Sequence, residues 1–246
     1  GFKTYPPFDW TVKGETSGNT IVPIAGGGEP AVYTVPVEIV SGSLAVSLDP
    51  STPKDKLVPA GSVGVVTSIL NISAANEDIL LTSLGIQLDT SNPSALLKVT
   101  LWDGATQLGE GVFPPDVLSQ KISLWFGAFI PANSSKLLTI KTDIAQIAIN
   151  QPAKAGDTIA INYDGDNPQN TSGVGKVSGI AVVSKTATDT AASPMYIFKS
   201  VPKLVKLPVP TNTLVNSSGN VLYRFSITSD LAGPTFIEKL TFPINP

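Results

Sequence analysis

From Ser41 onward the chain reads in short apolar runs, each broken by Gly, Pro, Asn or Asp after roughly 8–12 residues, a strand spacing and not a helical one. Leu44–Leu48 alternates and stops at Asp49-Pro50-Ser51-Thr52-Pro53. The runs 63–73 and 79–88 flank Asn76-Glu77-Asp78. Residues 98–102, Asp103-Gly104 and 105–113 predict a hairpin, because Asp-Gly supplies the positive φ angles of a type I′ turn. Further strands are expected over 121–130, 135–144, 157–164, 175–184 and 194–200, and Asp143–Gln151 is compatible with a helical turn or two. This pattern predicts an all-β chain with an antiparallel sandwich over residues 41–200. Ahead of it, residues 1–30 read as an extended linker ending in Gly26-Gly27-Gly28. Residues 31–40 are strongly β-forming, but Pro36 removes a ladder donor, so they suit an edge strand or a strand donated elsewhere.

An internal repeat organises the rest. The series Leu44–Leu48, Leu57-Val58, Gly61 and Ile79–Ile86 recurs as Leu204–Leu207, Leu214-Val215, Gly219 and Phe236–Phe242. Leu57 and Leu84 are 27 residues apart, and Leu214 and Leu240 are 26 apart, so order and spacing agree. The expected unit is about 160 residues, with residues 201–246 opening a second, truncated copy. The short Pro-containing joint Ser200-Val201-Pro202 restricts hinge freedom, so stacked units should form a rod.

Composition narrows the chemistry. The 246 residues contain no Cys and no His, which excludes disulfides, thiol nucleophiles and His-based triads. A net charge of −3 leaves no electrostatic footprint for nucleic acid. No apolar run approaches the roughly 20 residues of a membrane-spanning helix. The first residue is Gly1 with no signal region behind it, and the last stretch stops within a strand-like run, so a trimmed piece of a longer protein is expected.

The phrases SLDPSTP, Ala75-Asn76-Glu77-Asp78, the Leu101-Trp102-Asp103-Gly104 hairpin, IPANSSKLLTIKTDI, GDTIAINYDGD and MYIFKSVP together resemble the tandem Ig-like repeats of large bacterial surface proteins, of the S-layer-like or adhesin-like kind found on candidate-phyla envelopes. The resemblance covers about residues 31–246. It implies Ig-like sandwiches in series on a cell surface, outside the cell, and it carries no catalytic residues. A non-enzymatic structural subunit of a surface layer, sheath or filament is therefore expected, self-associating through β-edges. An adhesin or carbohydrate-binding stalk is the alternative.

Three sets of residues are candidate sites. Asp157, Asn162, Asp164, Asp166 and Asn170 place oxygens at alternating positions of a loop that could curl around Ca²⁺, although no Glu closes an EF-hand frame and Asp164-Gly165 is also an ordinary turn signal. Asn133 and Asn170 open Asn-x-Ser/Thr sequons in loop contexts, making them the best glycan acceptors. Trp102 and Trp125 could form an aromatic platform for a sugar, against the usual fate of Trp in a sandwich core.

Overall fold

The computed structural model describes residues 41–243 except 212, 214, 217 and 232, together with Val12–Lys13 and Thr20–Ile21. The chain divides into two compact units, residues 1–39 and 40–246. In the first, Val12–Lys13 (β1) pairs antiparallel with Thr20–Ile21 (β2), so a stretch expected to be linker contains a small ladder. The expected strand over 31–40 lies outside the described residues.

The second unit runs through β3 (Ser43–Leu48), β4 (Leu57–Pro59), β5 (Val65–Ala75), β6 (Ile79–Thr90), β7 (Leu96–Asp103), β8 (Thr106–Gly111), β9 (Ser119–Ile130) and β10 (Ser134–Ile144). It continues with β11 (Thr158–Tyr163), β12 (Ser172–Gly175), β13 (Ala181–Val183), β14 (Met195–Phe198), β15 (Lys203–Leu207) and β16 (Arg224–Thr228). The described helical content is two single 3₁₀ turns, at Pro93–Ala95 and Pro168–Asn170.

One sheet is antiparallel throughout, in the order β3-β5-β10-β7-β8. The other is mixed and built around β6, the longest apolar run. Strand β9 lines one edge of β6 from Ile79 to Gln87. The opposite edge is shared end to end, with β12 against its first half and β11 against its second. Beyond them lie β13 on one side, and β14 with the parallel strand β4 on the other. The alternation read from sequence now has its cause: Leu70, Ile72 and Ala74 of β5 and Leu138 and Ile140 of β10 face Ile79, Leu84 and Ile86 of β6 and Ile161 of β11, all buried. Each fully buried Leu or Ile contributes about 1.5–3 kcal/mol relative to exposure.

Both flanks of the sandwich are closed without a continuous ladder. On one, the Lys185 amide donates to the Leu44 carbonyl at 2.8 Å and the Val46 amide donates to Thr186 Oγ1 at 2.9 Å, so the loop after β13 covers the β3 edge. On the other, β8 lies so close to β9 that a Cβ at Gly109 would stand 2.5 Å from the Ser123 carbonyl oxygen.

Two local expectations are corrected. The hairpin at Asp103-Gly104 forms, but Asp103 pairs with Thr106, and only Gly104 has positive φ (57°) in the two-residue turn Gly104-Ala105. A glycine in the first loop position suits the II′ class instead of I′. Residues 143–151 form no helix. The Ile144 amide donates to Ser62 O and the Ala145 amide to Ala95 O, so these donors serve neighbouring segments instead of a helical turn.

Residues 201–243 differ from the sandwich before them. Their one described ladder is β15 against β16, with Leu204 opposite Ile227 and Lys206 opposite Phe225. None of their described residues is buried. In the sequence repeat, Leu204 corresponds to Leu44; Leu44 is 0% exposed and Leu204 is 63% exposed. Both β3–β5 and β15–β16 are antiparallel pairs, and Gly61 and Gly219 both have positive φ, 78° and 90°. Leu44→Ala should therefore cost about 2–5 kcal/mol of stability. Leu204→Ala should cost less than about 0.5 kcal/mol in dilute, monomeric protein. Chemical denaturation of the two variants checks this contrast.

Candidate functional surfaces

The oxygen-rich loop follows directly from the end of β11. Gly85 of β6 faces the gap between β11 and β12: its carbonyl accepts from the Asp164 amide at 3.2 Å, and its amide donates to Thr171 Oγ1 at 2.9 Å. Residues 165–170 are thus an excursion between two strands that share one edge. Asp164 is fully buried. Its carboxylate accepts from the Asn167 amide and Asn167 Nδ2, both at 3.1 Å, and from the Ser119 hydroxyl. The Asp164 carboxylate thus caps its own loop three residues on and is tied to β9 through Ser119.

The other members of the predicted set point elsewhere. Asp157 precedes β11, whose six residues span about 20 Å, so it stands at the far end of the strand from Asp164. There its Oδ2 accepts from Asn92 Nδ2 and the Lys154 amide, both at 2.7 Å. Asn162 Oδ1 accepts from the Ala192 amide at 2.7 Å. Asn170 packs its Cβ beside Gly85 and gives its carbonyl to Ser83 Oγ at 2.9 Å. Asp166 is brought to a partner that sequence reasoning missed: Asp189 Oδ1 accepts from the amides of Gly165 at 2.6 Å and Asp166 at 3.2 Å. The sequence signal for it was a lone acid in the Thr-rich stretch 186–190. Among the described residues no three or more acidic side chains come together in one cluster.

The most highly organised polar cluster is instead the break between β5 and β6. Asn76, at φ 73°, donates from Nδ2 to Ser41 O at 3.1 Å, and its amide donates to Asn133 Oδ1 at 3.3 Å. Asp78 Oδ1 accepts from the Ala132 amide at 2.7 Å, and its carbonyl accepts from the Lys176 amide at 2.8 Å. Glu77 between them is buried. Its carboxylate accepts from the amides of Gly42 (2.9 Å), Val177 (3.1 Å) and Ser178 (3.0 Å) and from the Ser178 hydroxyl (2.7 Å). A Cβ at Gly175 would lie 2.2 Å from Glu77 Oε1, so only glycine leaves room for the carboxylate. The Ser178 amide, then its hydroxyl, and further the Gly42 and Val177 amides hold the carboxyl down at about 2, against the opposing effect of burial.

The two tryptophans do not share a surface. Trp102 lies in β7 of the antiparallel sheet, donating from Nε1 to Thr100 Oγ1 at 2.9 Å, with Lys141 Nζ 3.9 Å from the ring centroid. One face of its ring is already occupied by a cation. Trp125 lies in the mixed sheet, on a wide bulge. Leu81 pairs with Ala128 but Ser83 pairs with Ser123, so Leu124–Gly127 stand opposite the single residue Thr82. Gly127 takes φ 70°, Leu124 turns into the core, and Trp125 and Phe126 are pushed out, 54% and 83% exposed. Beside them runs an outward apolar row across three paired strands, Val174, Leu80 and Phe129. Of the sequon residues, Asn133 is exposed on a turn at φ 53°, and Asn170 is half-buried.

No protein-family model matches the chain, and no curated protein matches it significantly. Among the described residues no helix is long and apolar enough to cross a membrane.

Two outcomes follow from these geometries. Because the folded-state value of Glu77 lies below its ordinary 4.5, its contribution to stability is complete above that value and is lost as pH falls toward about 2. Glu77→Gln should lower stability at neutral pH and flatten the acid limb of a melting-temperature profile between those two pH values. For Ca²⁺, Asp157 and Asp164 sit too far apart to share an ion, and Asp164 is already satisfied. Adding millimolar CaCl₂ or chelator should leave the melting temperature of the 246-residue chain unchanged, as read by scanning fluorimetry.

Proposed function

We propose that this chain is a non-enzymatic structural component of a cell surface, built from Ig-like sandwiches in series and assembling with copies of itself into a layer, sheath or filament. The observation that supports this reading is a run of exposed apolar side chains after a sandwich whose own core is buried. In residues 201–243, Leu204, Phe236 and Phe242 are 63%, 93% and 53% exposed. A two-stranded sheet is marginal in water, and so large an apolar surface marks an interaction site. Apolar β-structure exposed on one copy and covered by the next would suit a polymer. The closed flanks of the first sandwich fit the same role, because a building block must not aggregate through its finished part.

A second reading, an adhesin or carbohydrate-binding stalk, is favoured by Trp125 and Phe126 alone. An exposed indole on a rigid bulge is suited to stacking on a sugar ring.

Electron microscopy of the purified 246-residue protein over a concentration series separates the two. The structural reading expects ordered filaments or lattices that appear with concentration. Persistent monomers together with a glycan-array signal abolished by Trp125→Ala would replace it with the adhesin.

A further inference from the structure

We propose that the sandwich from Gly42 to Phe198 is a tension-bearing element, with both of its terminal strands placed to be loaded in shear when the chain is pulled from its two sides. This goes beyond assembly and holds for a filament or a stalk alike, because each passes load along its backbone.

The path of the chain carries the inference: it enters beside one end of β6 and leaves beside the other. At the entry, the Gly42 amide donates to Glu77 Oε1 at 2.9 Å and the Ser41 carbonyl accepts from Asn76 Nδ2 at 3.1 Å, in the break that precedes Ile79. At the exit, the Phe198 carbonyl accepts from the Ala60 amide and the Ile197 carbonyl from the Gly156 amide, both at 2.8 Å. Gly156 lies just before β11, whose Ile159 pairs with Thr90, the last residue of β6. The 12 residues of β6 therefore separate entry from exit by about 35–40 Å.

Pulling these points apart acts along the terminal strands and not across them. Strand β3 runs inward from Ser43 in unbroken register with β5, from Ser43 opposite Ala75 to Leu48 opposite Leu70. Strand β14 runs outward to Phe198 between two partners, antiparallel β11 at Thr158 and Ile159 and parallel β4 at Leu57, Val58 and Pro59. A strand dragged along its own axis must give up its ladder bonds together, whereas a strand lifted at one end loses them one after another. Core side chains oppose the same movement. Leu44 and Ile197 are fully buried, and a slip of one residue would turn either strand's apolar face outward. The points of loading are also held: Asn76 and Glu77 grip the backbone just ahead of β3, and Ala60 and Gly156 grip the last residues of β14.

Optical tweezers on the full 246-residue chain test this, and because the chain has no cysteine, introduced thiols are unique handles. Ser41→Cys with Lys199→Cys, both exposed positions, pulls the sandwich from entry to exit. Ala148→Cys with Lys199→Cys pulls the same fold from one end, since Ala148 is exposed in the loop between β10 and β11 on the exit side. The first pair should rupture in one step that releases about 50 nm of chain. Its force should be about twofold or more above that of the second pair, because forced unfolding follows the barrier along the pulled direction. Asn76→Gly keeps the positive φ of that position and removes the hold on Ser41, so it should lower the first force and leave the second unchanged. Equal forces in the two geometries, a lower force from entry to exit, or an Asn76→Gly effect of the same size in both would overturn the proposal. The two attachments pull one and the same fold, so their comparison decides even where Asn76→Gly fails to fold.

Discussion

The sandwich depends on one buried carboxylate. Glu77 sits where β5 turns into β6 and accepts four hydrogen bonds from the chain entry at Gly42 and from the β12–β13 turn at Val177 and Ser178. Its neighbours tie in the β9–β10 turn through Asn133 and Ala132. Three consecutive polar residues thus tie three other segments to the β5–β6 break, and strands of both sheets emerge from this one knot. A buried charge is tolerable only when its lone pairs are fully used, and here amides and a hydroxyl supply what water would have given. The same requirement explains the small residues around it, since at Gly175 any side chain would collide with the carboxylate.

Away from the knot, the fold manages its edges in two opposite ways. In the first sandwich two flanks are covered, β3 by the 184–186 segment and β9 by the close approach of β8. In residues 201–243 no described residue is buried; Leu44 is 0% exposed, whereas Leu204, its counterpart in the sequence pattern, is 63% exposed. The two halves differ in environment more than in sequence pattern.

The aromatic bulge on β9 is a separate feature. Its exposure follows from backbone geometry, because four residues opposite one must leave the ladder, and Gly127 lets them do so against Leu80. Trp102, by contrast, is spent on packing with Lys141 and Thr100. Identical residue types in similar alternating runs therefore reach different ends.

Much of the architecture was legible in the chain itself. Period-two alternation set the strands and their inward faces, and Asp-Gly and Asn-Glu-Asp set turns. These are local properties, decided by neighbours a few residues away. The helical reading of residues 143–151 failed where the Ile144 and Ala145 amides found partners distant in sequence, leaving only a local turn at Ala148–Gln151. The supposed ion ligands separated for a related reason: Asp157 and Asp164 are seven positions apart, and an extended strand between them carries them to opposite ends of the sheet. Nor could spacing show that Glu77 meets Ser178 a hundred residues on, or that Asp189 reaches back to Gly165. Alternation determined which side of each strand is apolar; only the tertiary structure decided which carboxylates are enclosed and which edges are left open, because burial and pairing depend on contacts between segments far apart in the chain.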